Sequence, residues 1–219
     1  MREKARHTVP RMFFDYVESG SWTEDTLRAN IADLSNIKFR QRVAIDISER
    51  STQMKMLDQV LPMPVALAPT GLAGMQTADG EIHAARAAEK FGVPFTLSTM
   101  SVCSIEEVRS RTSSPFWFQL YVMKDRSFIY DLINRAKRAN CSALMITLDL
   151  QVMGQRHRDV KNGLSVPPKM TLKNIIDLMR RPKWCFKMLK TKNRKFGNIV
   201  GHVKGVKDMS SLAEWTSKQ

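Results

Sequence analysis

Small polar residues follow four short apolar runs, at positions where a folded chain could bind a ligand. After the first run, the stretch APTGLAGM places Gly71 and Gly74 where the backbone could approach a flat ring or a phosphate. The other three runs end in side chains that form hydrogen bonds, namely Ser98, Thr99, Gln119, Tyr121, Thr147 and Asp149. Each alone could simply satisfy its own loop backbone. Together they predict a site for a heterocycle.

Alternating strands and helices must position these side chains. Apolar runs predict strands at 64–68, 94–97, 116–120 and 143–147, and amphipathic segments predict helices at about 80–91, 104–111 and 126–140. This alternation predicts a parallel sheet, whose ligands bind at the carboxyl ends of the strands. A closed barrel needs eight strands. The chain is therefore either an open four-stranded α/β sheet or the front half of a barrel.

The first sixty residues predict a helical cap on this fold. Apolar residues at helical spacing predict one helix with Thr8 as its cap and Pro10 in its first turn. The stretch SWTEDTLRANIADL predicts a second helix, capped by Ser21 or Thr23. The remaining residues before the first strand have no regular pattern.

The net charge of +14 is concentrated in one segment. Residues 169–207 contain twelve Lys or Arg and a single acid, Asp177, whereas the rest of the chain has 23 bases and 20 acids. A protein that tracks a duplex needs its basic residues on a folded groove or helix face. We therefore expect no nucleic-acid partner.

The same basic segment interleaves apolar and aromatic residues with its cations. Leu172, Ile175, Ile176 and Met179 form one helical stripe, which Pro182 ends. This composition is typical of a segment lying on anionic lipid. We predict that residues 170–196 attach the protein to a membrane surface. The alternative is a solvated loop that covers the mouth of the sheet.

Leader and cysteine patterns predict a cytoplasmic protein with reduced thiols. The start, MREKARHTVP, lacks the apolar stretch of a secretory signal, and the chain has no apolar run of membrane-spanning length. The three cysteines lack metal-ligand spacing, so we expect neither a disulfide framework nor a metal site. With the membrane-contacting segment, these patterns predict a peripheral protein on the inner face of the cell membrane.

Five stretches in order resemble the FMN-dependent α-hydroxy-acid dehydrogenase and oxidase family, most of all its bacterial respiratory L-lactate dehydrogenases. They are PRMFFDYVESG, MPVALAPTGLAGM, PFTLSTMS, FWFQLYV and TLDLQVMGQRHRD. The resemblance implies an α/β fold of the TIM (β/α)8 barrel class, of which this chain holds the N-terminal cap and about four βα units. It also implies FMN as cofactor and oxidation of an L-2-hydroxy acid, L-lactate to pyruvate, with a quinone as electron acceptor.

The resemblance also implies which residues bind cofactor and substrate. The residues implied to contact the flavin are Pro69, Thr70 and Gly71. Those implied to form hydrogen bonds with the isoalloxazine edge are Ser98, Gln119 and Thr147. The residues implied to bind the substrate are Tyr16, Tyr121 and Arg156. Catalytic roles are implied for Tyr121 and for Asp149, whose carboxylate would orient a histidine base. The alternatives are that the tyrosines only pack and that Arg156 only pairs with Asp159.

Other parts of the family pattern are expected beyond Gln219. These are the histidine base, a flavin-contacting lysine, a second substrate arginine and the flavin phosphate site; we do not expect His157 to replace the base. Met100 stands where some relatives carry an aromatic residue near the substrate. One hypothesis is thus an active enzyme, and the alternative is a truncated, catalytically inactive half-barrel.

The predicted organisation has four segments. They are a helical cap at 1–61, the first half of a flavin-binding barrel at 62–168, the basic insertion at 169–207 and the start of a further segment at 208–219. Open strand edges predict pairing with a second copy, and the resemblance implies a homo-oligomer at full length.

Overall fold

The computed structural model of the protein describes residues 1–149, 154–165 and 168–216. Its N-terminal region contains three helices and a hairpin: α1 (Arg2–Thr8), α2 (Arg11–Glu18), α3 (Asp25–Asn36), β1 (Met54–Met56) and β2 (Gln59–Leu61). The hairpin was not predicted. Leu57 and Asp58 form its turn at φ values of 45° and 63°, which favour glycine or asparagine, so the sequence lacks the usual hairpin signal.

The predicted helix caps in this region are wrong. The Thr8 hydroxyl donates to the Lys4 carbonyl oxygen at 2.9 Å within α1, and Pro10 is the N-cap of α2. Glu24, at a φ of 62°, precedes α3 without a side-chain capping bond, so neither Ser21 nor Thr23 caps it. Thr23 instead donates its hydroxyl to Asp25, inside the first turn.

A parallel sheet follows, flanked by helices. Its elements in chain order are α4 (Ala73–Gln76), α5 (Gly80–Phe91), β3 (Thr96–Ser98), α6 (Ile105–Ser110), β4 (Trp117–Tyr121), α7 (Arg126–Arg138) and β5 (Ala143–Thr147). The strands pair in the order β3-β4-β5, with Ser98 opposite Gln119 and Tyr121 opposite Thr147. The predicted alternation of strands and helices is confirmed for these units.

The predicted strand at 64–68 is reduced to one parallel bridge. Leu67 pairs with Phe95, donating its N–H to the Pro94 oxygen at 2.8 Å and accepting from the Thr96 N–H at 3.1 Å. Pro64 and Pro69 lack a backbone N–H, which limits the ladder that this segment can form.

Local caps explain why the sheet helices begin and end where they do. Ser104 and Glu107 form a reciprocal capping box at α6, and Asp125 accepts from the Phe128 N–H at 3.1 Å at the start of α7. Gly92, at a φ of 75°, ends α5 in the left-handed conformation that glycine adopts without strain.

The core joins the sheet to a segment from much later in the chain. Leu97, Phe118 and Leu132 pack in one buried cluster that also contains Ile199, Val206 and Leu212. Residues 169–207 therefore include both surface helices and part of the core. The four-segment division stays a prediction.

Asn198 fixes this late segment to the sheet. Its amide donates to the Ser98 carbonyl oxygen at 3.2 Å and to Ser101 Oγ at 2.9 Å, and its oxygen accepts from the Ile105 N–H at 2.9 Å. Arg135, whose side chain is 2% exposed, donates to the Asn198 carbonyl and pairs with Glu106 at 2.7 Å.

Four helices complete the described chain. They are α8 (His157–Lys161), α9 (Leu172–Met179), α10 (Pro182–Lys190) and α11 (Met209–Thr216). Pro182 ends the stripe of α9 as predicted, but it also starts α10, where its fixed φ and missing N–H suit the first helical position. No described helix is long and apolar enough to cross a membrane.

Candidate active site

A hydrogen-bonded row of three side chains crosses the carboxyl ends of β3, β4 and β5. Ser98 Oγ donates to Gln119 Oε1 at 3.2 Å, and Gln119 Nε2 donates to Thr147 Oγ1 at 2.8 Å. The Thr99 N–H also donates to Gln119 Oε1 at 3.2 Å. Because Ser98 and Gln119 are buried, these bonds hold the amide in one orientation. The structure thus brings together three of the predicted flavin-binding residues.

The row keeps hydrogen-bond donors free on its open side. The second amide hydrogen of Gln119 and the hydroxyl hydrogen of Thr147 have no acceptor within the described part of the chain. Carbonyl oxygens and unprotonated ring nitrogens, as on the edge of an isoalloxazine, are acceptors for such donors. The donor set therefore fits FMN.

The loop from Pro69 to Gly71 lies beside this row, closed by contacts with the loop after β3. The Leu72 N–H donates to the Met100 carbonyl oxygen at 3.1 Å. A Cβ placed on Gly71 would lie 3.4 Å from the Tyr16 hydroxyl and 3.5 Å from Met100 Cβ. Pro69 and Gly71 are partly buried, whereas Thr70 is exposed. The loop thus brings Tyr16 and Met100 to its surface.

Glu81 holds the stretch that follows Pro69 and the loop after β3 together. The sequence patterns did not identify it as a site residue. Its Oε1 accepts from the Gly74 N–H and from the Val102 N–H, each at 2.9 Å. A Cβ at Gly74 would lie 2.7 Å from Val102 Cβ, so only glycine permits this approach. The missed signal is positional: Glu81 precedes Ala85 by four residues and Ala88 by seven, which puts it on the buried stripe of α5.

The second oxygen of Glu81 has a different environment. Oε2 is buried and has no hydrogen-bond partner in the described structure. Burial, with the nearby Glu81 carboxylate as a smaller cause, raises the pKa of the Cys103 thiol, so this cysteine stays protonated. Cys103, Cys141 and Cys185 are free thiols in this structure.

Arg156 lies over the Tyr16 ring, with its guanidinium carbon 5.0 Å from the ring centroid. Nη2 donates to the Tyr16 carbonyl oxygen and to Ser19 Oγ, while Nε donates to Asp159. The alternative pairing with Asp159 is therefore present, but Asp159 is buried, so this is no solvated surface pair. Nη1 has no partner among the described residues and is the nitrogen left for a ligand.

Tyr121 is close enough to Tyr16 and to Asp149 to interact with both electrostatically. Burial raises the pKa of Tyr121, and the neighbouring Tyr16 and Asp149 raise it further. Burial likewise raises the pKa of Tyr16, against the lowering effect of Arg156. Both phenols are therefore neutral hydrogen-bond donors at pH 7.

Asp149 is exposed, and its carboxylate makes no hydrogen bond or ion pair with the residues that the structure describes. The ring of His157 packs edge-on to Trp22, with centroids 5.8 Å apart. The adjoining motif residues 150–153 lie outside the described part of the chain. The catalytic and substrate roles assigned to these residues stay predictions.

The basic segment is docked against the N-terminal helices. Trp184 stacks on Phe13 with ring centroids 5.6 Å apart, and its Nε1–H donates to the Met75 carbonyl oxygen at 3.0 Å. Arg181 pairs with Asp177 at 2.7 Å and donates to the Val9 carbonyl oxygen. These contacts fix α9 and α10 beside α2 and α4.

The outer surface of α9 and α10 is apolar. Leu172 is 81% exposed, Leu189 69% and Met179 68%, and Ile175, Ile176 and Phe186 are exposed as well. Isolated exposed apolar residues are ordinary, but a group of this size rimmed by cations marks an interaction surface.

A sequence model of the FMN-dependent dehydrogenase family matches residues 5–219. An L-lactate dehydrogenase from Acinetobacter baylyi is 43% identical over 214 residues, covering 96% of this chain and 56% of the relative. An L-lactate dehydrogenase from Haemophilus influenzae is 45% identical over 199 residues, covering 90% and 52%. The chain thus spans about half the length of the curated relatives it matches.

Solved structures give the same assignment. The crystal structure of the monotopic membrane protein (S)-mandelate dehydrogenase aligns with a TM-score of 0.91 and 30% identity, covering 100% of this chain and 58% of that one. A mandelate oxidase bound to (S)-4-hydroxymandelic acid aligns with a TM-score of 0.71 and 35% identity, covering 76% and 46%. The predicted family, cofactor class and partial barrel are confirmed. The chain belongs to the FMN-dependent dehydrogenase family, and its sheet is part of that family's TIM barrel.

Proposed function

We propose that this chain supplies the flavin-binding strand ends and part of the substrate site for FMN-dependent oxidation of an L-2-hydroxy acid. The observation that carries this proposal is the hydrogen-bonded row of Ser98, Gln119 and Thr147, which ends in free donors beside the loop of Gly71. The lactate and mandelate dehydrogenases among its relatives support this substrate class. L-Lactate is the proposed substrate and pyruvate the product.

The row would hold the cofactor. Gln119 and Thr147 would donate to acceptors on the flavin edge, and Pro69, Thr70 and Gly71 would lie against the ring. Because the row is already hydrogen-bonded, little side-chain entropy would be lost on binding. FMN, when bound, supplies the acceptor for the two electrons that leave the substrate.

Tyr16, Tyr121 and Arg156 would hold the substrate. Their neutral phenols can donate to a carboxylate, and Arg156 Nη1 adds a charged donor. Since Nε and Nη2 of Arg156 are already engaged, the guanidinium enters with its position set by Tyr16, Ser19 and Asp159. Asp149 would orient a histidine base and stabilise its cation.

Flavin binding by the purified chain tests the proposal. We expect FMN to bind with quenching of its fluorescence, and Gln119→Leu to weaken binding about tenfold by removing one donor and misplacing Thr147. Gln53→Leu is the matched control, because Gln53 is exposed and remote from the row. Equal affinity of the two variants would show that the row does not contact flavin.

A second candidate is a chain that binds flavin without turnover. It is favoured by the Asp149 carboxylate, which pairs with no histidine among the described residues. Anaerobic addition of L-lactate to the FMN-loaded chain distinguishes the two: loss of the yellow absorbance supports the enzyme, and unchanged absorbance supports the binding protein.

We also propose that residues 170–196 attach the protein peripherally to the inner face of the cell membrane. The support is the exposed apolar surface of α9 and α10 with its rim of lysines. Attachment would place reduced flavin near a membrane quinone as electron acceptor. The monotopic character of the (S)-mandelate dehydrogenase adds support.

Vesicle binding tests this attachment. The chain should bind vesicles containing phosphatidylglycerol, and a variant with the Lys and Arg residues of 170–196 changed to Ser should bind far less. Equal binding by both chains would end the idea.

Reduction of a soluble quinone by the lactate-treated holoenzyme, compared with oxygen consumption, tests the acceptor.

A further inference from the structure

We propose that a basic cleft beside α9 binds the phosphate of an anionic lipid headgroup, an inference that rests on the proposed membrane attachment. A cavity of about 720 Å³ lies between α1, α2, α8 and the end of α9. A second cavity of about 320 Å³ extends it along α9 and shares Arg11, Asp177 and Arg180 with it. Volumes of this size are typical of small-molecule sites.

The cleft is lined by more cations than acids. Its larger part has six arginines and four carboxylates. Most of these arginines are already paired, Arg11 with Asp15 and Arg181 with Asp177 among them. By contrast, the Arg180 and Lys173 side chains have no hydrogen bond or ion pair within residues 1–149, 154–165 and 168–216. The cleft therefore holds two cations free for an anion.

The direction of these cations relates the cleft to the membrane. At 100° per residue, Leu172, Ile176 and Met179 share one stripe of α9, while Lys173 and Arg180 lie about a quarter turn away. Asn174 and Arg181, further round, bond to Asn162 and Val9 on the protein body. A helix whose apolar stripe enters the acyl region thus presents Lys173 and Arg180 at headgroup level.

This placement identifies the anion. A phosphodiester suits both a guanidinium fork and an ammonium, because both donate charged hydrogen bonds to its oxygens. Free inorganic phosphate would use the same donors but would make no use of the adjacent apolar stripe. The geometry therefore favours a lipid such as phosphatidylglycerol, whose acyl chains would follow Leu172 and Met179.

Monomeric short-chain lipid tests the cleft without a membrane surface. Dihexanoyl phosphatidylglycerol, kept below its micelle concentration, is titrated into the full chain by calorimetry, beside dihexanoyl phosphatidylcholine and inorganic phosphate. We expect Lys173→Ala with Arg180→Ala to weaken phosphatidylglycerol binding about thirtyfold, at about 1 kcal/mol for each cation. The control, Lys137→Ala with Arg138→Ala, removes the same charge from exposed residues of α7, outside the cleft and outside residues 170–196, and should leave the affinity unchanged.

Each outcome decides between the proposals. Equal weakening by the two double variants, or phosphate binding as tight as the lipid, would overturn the headgroup cleft. So would failure of the wild-type chain to bind monomeric phosphatidylglycerol while it still binds vesicles, and membrane attachment would then stand alone. Monomer binding without vesicle binding supports the cleft and refutes the attachment.

Discussion

The mouth of the sheet and the surface of α9 and α10 use polar groups in opposite ways. At the mouth, Ser98, Gln119 and Thr147 are bonded to one another, and Glu81 accepts from two loop amides. On α9, Lys173 and Arg180 have no partner in the described structure, and apolar side chains beside them face solvent. The first region is organised before any ligand arrives, whereas the second gains its partners from outside the chain.

The difference separates stability from binding. Groups that are buried and paired contribute to the free energy of unfolding, because their loss leaves partners unsatisfied. Exposed groups contribute little to folding and can be changed almost without cost. Mutations at the mouth should therefore alter stability, and mutations on α9 and α10 should alter association.

Glu81→Ala would break the mouth most severely. The change leaves the Gly74 and Val102 amides buried without their acceptor, and we expect a loss of about 3 kcal/mol in the free energy of unfolding. Urea denaturation measures it, with Glu49→Ala on an exposed segment as control. If both variants unfold at the same urea concentration, Glu81 does not join the loops as described.

The ion pair of Glu106 with Arg135, which also bonds to Asn198, gives the fold a pH dependence. Hydrogen bonds from Arg135 lower the pKa of Glu106 to about 2, below the value of about 4.5 expected when unfolded. The stabilisation is thus complete above about pH 5 and is lost as the pH falls toward 2. Because Glu106 is half exposed, we expect about 1 kcal/mol. Glu106→Gln should flatten the pH profile of unfolding in this range, and an unchanged profile would contradict the assignment.

Trp184→Phe tests the junction between the two regions. Phenylalanine can keep the stacking on Phe13 but loses the hydrogen bond to the Met75 carbonyl. The expected cost is about 1 kcal/mol in the free energy of unfolding, again from urea denaturation. Trp22→Phe, at an exposed residue, is the matched change. If Trp22→Phe lowers the free energy of unfolding more than Trp184→Phe does, the hydrogen bond to Met75 does not hold α10.

Leu172→Ser with Leu189→Ser should have the smallest effect on folding. Both side chains are largely exposed, so we expect a change of less than about 0.5 kcal/mol in stability. Vesicle binding should nevertheless fall about tenfold, since the apolar area available for the membrane is lost. Lower stability with unchanged vesicle binding would reverse the comparison between the regions.

Sequence patterns predicted the alternating strands and helices of the parallel sheet. The helix at 80–91 agrees with α5 at both ends, because apolar periodicity and the glycine that ends it specify the helix, and the strand at 143–147 agrees with β5, because a short apolar run specifies it. The strand at 64–68 failed, since prolines limit its ladder to the Leu67 bridge. Thr8 failed as a cap because its hydroxyl was used by the preceding turn.

Long-range contacts explain what the sequence could not show. The row of Ser98, Gln119 and Thr147 was predictable as a set, since strand ends of a parallel sheet meet. The roles of Glu81 and Asn198 were not, because their partners come from loops whose arrangement no local pattern defines. The resemblance assigned Arg156 and Tyr16 to one substrate site, a role that stays a prediction, and the bonds of Arg156 to Ser19 and Asp159 required the structure.

Asn198 also affects the order in which the chain can fold during synthesis. Its bond to the Ser98 carbonyl spans 100 residues, and its bond from Arg135 spans 63. A ribosome would therefore release β3 and β4 long before the residues that complete their core, and contacts so distant in sequence form slowly. Nascent chains that end before Phe196 should therefore expose the loop after β3 to proteases. Chaperones would be needed most while the chain has this length.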